Sequence, residues 1–171
     1  MVKIVLIVGP SGVGKDTLIN SVKGKIDANF VKRYITRVPD SHEQNYFVEN
    51  SEFEKLKKEG FFVSSWDAHS NQYGIALDEI KEGLNIISVS RSAIKDFEKV
   101  FDDVVTINIS LSKDALYKRL KNRNRESENE IQERLASSDQ DIKAKKLIQF
   151  SNDLPLDISS AKFLELLGEI K

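Results

Sequence analysis

The sequence predicts an α/β protein built on a doubly wound parallel sheet. Continuous apolar runs such as residues 4–8 and 104–107 are typical of parallel strands that are covered on both faces. Segments with apolar residues at helical spacing alternate with these runs, and such alternation requires right-handed crossovers between parallel strands. We therefore expect ligands to bind beyond the carboxyl ends of the strands.

Length and composition favour one soluble domain. The 171 residues are 40% hydrophobic and 31% charged, with a net charge of −1. This balance argues against a surface that coats nucleic acid. The absence of cysteine excludes disulfides, thiolate metal sites and cysteine nucleophiles. With no signal peptide and no apolar run near the ~20 residues of a membrane span, we expect a cytoplasmic enzyme that binds small molecules and can form a homodimer.

The first strand and helix flank a glycine-rich loop. We predict a strand at 3–8, a helix at 15–26 and a second strand at 30–35. The loop reads Gly9-Pro10-Ser11-Gly12-Val13-Gly14-Lys15-Asp16-Thr17. Its glycines let consecutive N–H groups curl around phosphate oxygens, the helix N-terminus adds unpaired N–H groups, and Lys15 adds a cation. Strand, loop and helix together predict a P-loop of the kind found in NTPases.

One loop position departs from the usual pattern. Asp16 stands where Ser or Thr normally follows the lysine, and Thr17 comes one residue later. A carboxylate can hold Mg²⁺ directly or through water. We therefore predict that Asp16 and Thr17 lie at the metal, and the sequence leaves open which of them contacts it.

Residues 37–75 interrupt the alternating pattern. They contain a polar loop, short strands at 46–48, 61–66 and 72–75, and a short helix at 51–59 that a capping box opens. We interpret this stretch as a small α+β insertion that covers a substrate, between core segments 1–36 and 76–171. The later core elements are predicted as strands at 84–90, 104–109 and 147–150 and helices at 92–100, 112–120, 128–145 and 157–170.

A basic stretch follows the fourth predicted core strand, at 104–109. Four arginines, at 119, 123, 125 and 134, fall within a predicted helical lid at 119–134. Such a run is usually a solvated helix face. Behind a P-loop, arginines that close over two phosphorylated substrates stabilise the charge of phosphoryl transfer. We therefore predict Lys15, Arg119, Arg123 and Arg134 as catalytic residues, with Arg125 at the substrate.

Several segments resemble the guanylate kinase family in the family's own order. They are Arg33-Tyr34-Ile35-Thr36-Arg37, Tyr46-Phe47-Val48, Ser51-Glu52-Phe53, Tyr73-Gly74 and Arg119-Leu120-x-x-Arg123. The resemblance implies a nucleoside monophosphate kinase-like fold with an ATP-binding core, a substrate-covering insertion and an arginine-bearing lid. It also implies that Arg123 and Asn152 contact ATP alongside the loop residues.

The residues that would recognise guanine differ from that family. Asp40 replaces a phosphate-gripping arginine, Ser65 replaces a guanine-reading glutamate, and a second acid is replaced within Ser88-Val89-Ser90-Arg91. A buried guanine without acceptors would leave donors unpaired at about 1–3 kcal/mol each. A sugar bisphosphate has no base to read and carries two phosphates, so an added cation such as Arg91 suits it.

The replacements resemble the ribose 1,5-bisphosphate phosphokinase family. The matching segments are Gly14-Lys15-Asp16, Tyr34 to Arg37, Ser65-Trp66-Asp67-Ala68-His69, Ser90-Arg91 and Arg119 to Glu126. The resemblance implies ATP-dependent conversion of ribose 1,5-bisphosphate to 5-phosphoribosyl 1-diphosphate, with Mg²⁺. The alternatives are a guanylate kinase-like nucleoside monophosphate kinase and a non-catalytic binding module. The predicted acceptor residues are Arg33, Thr36, Arg37, Tyr46, Ser65, His69, Tyr73, Ser90, Arg91 and Arg125.

Overall fold

The computed structural model describes residues 1–39, 44–137 and 141–171. Its strands are β1 (Val2–Val8), β2 (Asn29–Phe30), β3 (Tyr34–Ile35), β4 (Tyr46–Phe47), β5 (Phe62–Ala68), β6 (Asn71–Ala76), β7 (Gly83–Ser88), β8 (Val104–Ser110) and β9 (Leu147–Ser151). Its helices are α1 (Lys15–Val22), α2 (Asn50–Lys58), α3 (Ile94–Val100), α4 (Lys113–Arg123), α5 (Glu128–Ser137) and α6 (Leu156–Ile170). No helix within these ranges has the length and apolar character that crossing a membrane requires.

The main sheet has five parallel strands in the order β2-β7-β1-β8-β9. The central strand, β1, is covered on both faces, and its residues from Ile4 to Val8 are fully buried. Val5 and Ile7 pack with residues of α1 and α6, whereas Ile4 and Leu6 pack on the other side with α3. The doubly wound parallel sheet predicted from the alternating pattern is therefore confirmed.

A second, four-stranded sheet has the order β4-β3-β6-β5 and lies in the middle of the chain. Strand β6 runs antiparallel to both β3 and β5, while β3 and β4 are parallel. Ser64 on β5 donates a hydrogen bond to Asp96 on α3 at 2.7 Å, so this sheet is fastened to the core. Strands β4, β5 and nearly all of β6 lie in the stretch that the sequence predicts as a substrate-covering insertion, whereas β3 precedes that stretch.

The two helices of the predicted lid pack against each other. Leu116 and Leu120 of α4 meet Ile131 of α5 in a small apolar cluster separate from the main core. A capping box opens α5: Ser127 Oγ accepts from the Glu130 N–H, and Glu130 Oε2 accepts from the Ser127 N–H. The pair of helices thus forms a compact unit with its own packing.

Three predicted elements are wrong in their extent. Helix α1 ends at Val22 instead of continuing to 26. The strand expected at 30–35 is divided: β2 pairs with β7 in the main sheet, whereas β3 joins the second sheet. Helix α5 ends at Ser137 instead of continuing to 145, and residues 138–140 lie outside the described ranges. Residues 141–146 are not helical because they lead into β9, where the Lys146 carbonyl accepts from the Thr106 N–H.

A buried asparagine ties the amino-terminal end of the main sheet together. Asn85 on β7 is fully buried, and its Oδ1 accepts from Asn29 Nδ2 at 2.8 Å and from the Lys81 N–H at 2.9 Å. Its Nδ2 donates to the carbonyls of Lys81 and Gly83. One amide side chain therefore joins β2, β7 and the turn before β7.

We predict that Asn85→Ala lowers the free energy of unfolding by about 2–4 kcal/mol, because it leaves several buried donors and acceptors unpaired. Urea denaturation followed by circular dichroism measures the change as a lower midpoint with an unaltered slope. Asn129→Ala, the same substitution at an exposed position of α5, is the matched control. Equal midpoints for the two variants would contradict the structural role of Asn85.

Candidate active site

The P-loop connects β1 to α1, and its glycines are required by close packing. Gly14 has a φ of 92°, a left-handed conformation, and a Cβ there would lie 2.9 Å from Asn152 Nδ2. A Cβ on Gly9 would lie 2.5 Å from the Ile109 carbonyl oxygen. The loop therefore rests directly on the ends of the neighbouring strands, with its backbone free to face a phosphate.

Lys15 is the first residue of α1 and is turned back on the loop. Its Nζ donates to the Gly9 carbonyl oxygen at 2.7 Å. The pKa of Lys15 is lowered to about 8, mainly by burial; the charge of Asp16 opposes this shift, while Arg33 and Arg91 add to it. A cation held this way in an anion-binding loop is ready to exchange a carbonyl oxygen for a phosphate oxygen.

The Val13 carbonyl oxygen joins the loop to two distant parts of the chain. Asn152 Nδ2, after β9, donates to it at 2.8 Å, and Arg119 Nη1 of α4 donates to it at 3.0 Å. Asn152 is buried, and Arg119 also reaches its carbonyl oxygen at 3.4 Å. From the sequence we expected Asn152 at the ATP and Arg119 among the catalytic residues; their hydrogen bonds here are to the loop and to each other.

A cavity of about 1100 Å³ opens over the P-loop, between the second sheet and the two lid helices. Most of the predicted site residues line it. They are Gly9, Pro10, Ser11, Gly12, Val13, Gly14, Lys15, Asp16, Thr17, Arg33, Arg37, His69, Tyr73, Ser90, Arg91, Arg119, Arg123, Arg125 and Arg134. Residues predicted from widely separated motifs therefore line a single cavity.

Four predicted site residues do not line this cavity. Asn152 lies beneath the loop, as described above. Thr36 Oγ1 accepts from the Gln72 N–H at 2.9 Å, which links β6 to the end of β3. Tyr46 donates its hydroxyl to Glu79 at 3.1 Å and stacks near Tyr34, and Ser65 pairs with Gly74 across β5 and β6. Thr36, Tyr46 and Ser65 therefore lie in or beside the second sheet instead of lining the cavity.

Aromatic rings build the wall of the cavity on the side of the second sheet. Trp66 and Tyr73 stack with 5.8 Å between ring centroids and 4° between planes. Arg33 also lines the cavity, and its guanidinium lies 5.5 Å from the centroid of the Tyr73 ring. Trp66 therefore both packs on Tyr73 and borders the cavity.

The tip of the β5–β6 hairpin also faces the cavity. His69 and Ser70 form its two-residue turn with φ angles of 50° and 64°, which residues other than Gly and Asn rarely adopt. Burial lowers the pKa of His69, and the charge of Arg134 lowers it further while Glu126 raises it. These effects show that the hairpin tip is within electrostatic reach of the lid.

The lid contributes ionic contacts that the sequence did not assign. Arg134 Nη2 lies 3.3 Å from Glu126 Oε1, and the Glu126 side chain is 7% exposed. Arg91, expected at the acceptor, donates from Nη2 to the Ser137 carbonyl at the end of α5. The only available signal for Glu126 was its place in the Arg119 to Glu126 motif, which carried no role for it.

The comparisons with known proteins agree with this site. The sequence model of the family described as guanylate kinase matches residues 1–160. A ribose 1,5-bisphosphate phosphokinase of Bradyrhizobium diazoefficiens is 32% identical over 173 residues, covering 96% of this chain and 87% of that protein. Another from Agrobacterium fabrum is 38% identical over 143 residues, which is 78% of each chain.

The chain belongs to the guanylate kinase family. Within it, the chain belongs to the ribose 1,5-bisphosphate phosphokinases, as its motifs predicted. It also matches a bifunctional ribose 1,5-bisphosphokinase-thymidine phosphorylase of Roseobacter denitrificans at 40% identity over 140 residues, and there the match spans 77% of this chain and 21% of that protein. A guanylate kinase structure from Anaplasma phagocytophilum has the same fold, with a TM-score of 0.68 at 18% identity, covering 98% of this chain and 85% of that one.

The charges of this family member are unequally distributed around the cavity. Among the described residues, the carboxylates that line it are Asp16, Glu126 and Glu130, all in the P-loop or the lid. The described lining from the second sheet and the end of β7 contains Arg33, Arg37 and Arg91 and no acid. Asp40, the departure nearest to Arg37 in sequence, lies outside the described residues. The side of the cavity formed by the second sheet and the end of β7 is therefore cationic. We call it the acceptor side, because most of the predicted acceptor residues lie there.

The pKa of Lys15 gives a test of the P-loop. We predict that ATP affinity falls above pH 8 by up to about tenfold per pH unit, because free Lys15 loses its proton there and binding must restore it. Calorimetric titrations from about pH 7 to 9.5, in buffers of different ionisation enthalpy, measure the affinity and the proton uptake. Lys15→Met should remove this dependence, whereas Lys118→Met, an exposed lysine of α4, should retain it. A dependence that survives in Lys15→Met would contradict the prediction.

Proposed function

We propose that this chain transfers the γ-phosphoryl group of ATP to the anomeric phosphate of ribose 1,5-bisphosphate, giving 5-phosphoribosyl 1-diphosphate and ADP. The relatives that match most of its length are named for a phosphokinase acting on that sugar. The chain spans only about a fifth of the bifunctional Roseobacter protein, and the proposal concerns only the kinase reaction.

The cationic acceptor side is the observation that carries the proposal. Its described residues supply arginines at 33, 37 and 91 and no carboxylate to pair with the donors of a guanine base. A buried guanine donor without an acceptor costs about 1–3 kcal/mol. A sugar with two phosphates requires cations in the site, because each phosphate is negatively charged. It has no base, so the site needs no carboxylate to recognise one.

The donor side is the P-loop and the residues around it. The loop N–H groups and the amino end of α1 would hold the ATP phosphates, and Lys15 would release the Gly9 carbonyl to bind them. Mg²⁺ in such sites is held by one or two carboxylates and by substrate phosphates, which suits Asp16 with Thr17 beside it. When bound, Mg²⁺ neutralises charge on the transferred phosphoryl group.

The reaction needs no general base. A phosphate monoester has a second pKa near 6, so the anomeric phosphate already presents a nucleophilic oxygen at neutral pH. That oxygen forms a bond to the γ-phosphorus while the bond from the γ-phosphorus to the β–γ bridging oxygen breaks, and ADP leaves with the electron pair. Catalysis is therefore positioning and charge stabilisation, and Lys15, Arg123 and Arg134 have the charge for it.

The remaining arginines divide between the two substrates by position. Arg33, Arg37 and Arg91 border the acceptor side, whereas Arg125 projects from the loop between α4 and α5. Arg119 acts on the P-loop itself, because both of its hydrogen bonds support the loop and Asn152. We assign Arg119 a structural contribution to ATP binding and leave charge neutralisation to the others.

A second candidate is a nucleoside monophosphate kinase that accepts GMP. The family match over residues 1–160 and the shared fold with a guanylate kinase favour it. A non-catalytic binding module is disfavoured by Lys15 and by the seven arginines that line the cavity, at 33, 37, 91, 119, 123, 125 and 134. Cytoplasmic location and homodimer formation stay predictions.

The deciding experiment is an ADP-release assay with each acceptor. We expect Mg²⁺-dependent turnover with ribose 1,5-bisphosphate and at least about 100-fold lower kcat/KM with GMP, since several guanine donors would stay unpaired. Product identification by ³¹P NMR should show a new diphosphate at the anomeric position. Turnover with GMP alone would replace the proposal with the second candidate, and turnover with neither would favour the binding module.

Substitution of Arg37 tests the assignment of the acceptor side. We predict that Arg37→Ala raises KM for the sugar phosphate by about 10- to 100-fold and KM for ATP by less than threefold, because a charge-assisted bond to one substrate is lost. Steady-state kinetics with each substrate varied in turn measures both values. Lys58→Ala, an exposed lysine of α2, should change neither. Equal effects on both substrates would remove Arg37 from the acceptor site.

A further inference from the structure

The ion pair between Glu126 and Arg134 joins two parts of the lid. Glu126 precedes α5 in the connection from α4, and Arg134 lies in the last turns of α5. Their side chains are 7% and 21% exposed, so both are shielded from solvent although both border the cavity. An ion pair this well covered holds its partners more firmly than one on the surface.

Only one of the two guanidinium nitrogens in this ion pair contacts the carboxylate. Arg134 Nη2 and Glu126 Oε1 lie 3.3 Å apart, whereas Arg134 Nη1 and Glu126 Oε2 are buried and have no hydrogen-bond partner among the described residues. An arginine and a carboxylate that served structure alone would gain from pairing both nitrogens with both oxygens. One guanidinium nitrogen is therefore held by Glu126, while the other, buried in this conformation, has no described partner to give up.

The surroundings of the pair show which elements it lies between. Glu126 and Arg134 line the same cavity as His69 of the β5–β6 hairpin, Lys15 and Arg123. The pair therefore lies where the lid, the P-loop and the second sheet face one another across the cavity. A ligand phosphate in that space would meet the guanidinium of Arg134.

The other acids of the cavity have different partners. Glu130 accepts from the Ser127 N–H and so caps α5, and Asp16 is adjacent to Lys15 and raises its pKa. Glu126 is thus the cavity carboxylate that lies against Arg134. In a cavity lined by seven arginines, a guanidinium without such a counter-ion would be repelled by its neighbours.

We propose that Glu126 is a positioning residue, which holds Arg134 by one terminal nitrogen so that the other can bind the phosphoryl group in transfer. The inference rests on the proposed phosphoryl transfer but not on the identity of the acceptor, because Arg134 would serve the group that leaves ATP in either case. Glu126 itself touches no reacting atom. Its contribution is to fix the direction of a cation that closing of the lid brings to the substrates.

The test is Glu126→Gln, which keeps the shape of the side chain and removes its charge. We expect kcat to fall about 10- to 100-fold with both KM values changed less than threefold, because a small displacement of a catalytic group costs rate more than binding. Glu126→Asp, which keeps the charge, should recover part of the loss. Glu133→Gln, on an exposed position beside Arg134, removes the same charge and should match the unmodified chain.

A double variant separates positioning from stability. If Glu126 acts through Arg134, adding Glu126→Gln to Arg134→Ala should lower kcat less than twofold further. Additive losses, or a kcat of Glu126→Gln equal to that of the unmodified chain, would overturn the inference. A fall in thermal midpoint with unchanged kcat would also overturn it, since that is the signature of a structural ion pair.

Binding measurements keep the inference testable without turnover. Calorimetry with Mg²⁺, ADP and aluminium fluoride, which mimics the transferred group, should show at least tenfold weaker binding to Glu126→Gln than to the unmodified chain. Binding of Mg²⁺ and ADP alone should differ less than twofold. Equal binding of the mimic overturns the role of Glu126 whether or not ribose 1,5-bisphosphate is the acceptor, and failure of that sugar as a substrate overturns only the proposed function.

Discussion

The Val13 carbonyl oxygen is the point on which the architecture of the site depends. It accepts hydrogen bonds from Asn152 and Arg119, so the P-loop, the segment after β9 and the first lid helix meet at one atom. This arrangement explains why position 14 must be glycine, since a Cβ there would displace both donors. The loop thus has its shape fixed from behind, while its residues line the cavity on the other side.

Positive charge is concentrated around the cavity that lies over this loop. Seven arginines and Lys15 line one cavity with three described carboxylates, and the pKa of Lys15 is already lowered to about 8, mainly by burial. Such a site is less stable empty than filled, because phosphate ligands supply the missing negative charge. Lys15 on the Gly9 carbonyl and Arg134 on Glu126 show two ways in which the chain shields its cations. The Lys15 contact is one that a phosphate oxygen can replace, whereas the Glu126 contact keeps Arg134 in place.

Local patterns predicted the core, because they depend on neighbouring residues. The strand, loop and helix around Lys15 could be read from the glycines, and the buried runs predicted β1, β7 and β8. The division of the 30–35 segment was not predictable in this way, since it depends on β3 pairing with β6 instead of extending β2. The sequence likewise gave no sign that Arg119 and Asn152 share Val13, a contact that spans more than 100 positions of the chain. Glu126 was missed because its importance lies in the burial of its carboxylate, which only the folded lid creates.

The lid arginines differ in how closely they are bound to the core. This difference agrees with the roles that we propose for them in phosphoryl transfer. Arg119 is fixed to the P-loop, and the adjacent Leu120 packs so closely that a Cβ on Gly12 would lie 2.8 Å from its Cδ2. The base of the lid is therefore part of the ATP-binding core. After Arg123 the helix ends at Asn124, whose φ of 50° turns the chain toward Glu126 and α5. Arg134 is thus carried on a segment beyond that turn, joined to the core by the Arg91 contact at Ser137. A fixed cation shapes the loop before ATP arrives, whereas a cation on the outer segment can meet charge that develops only when both substrates are in place.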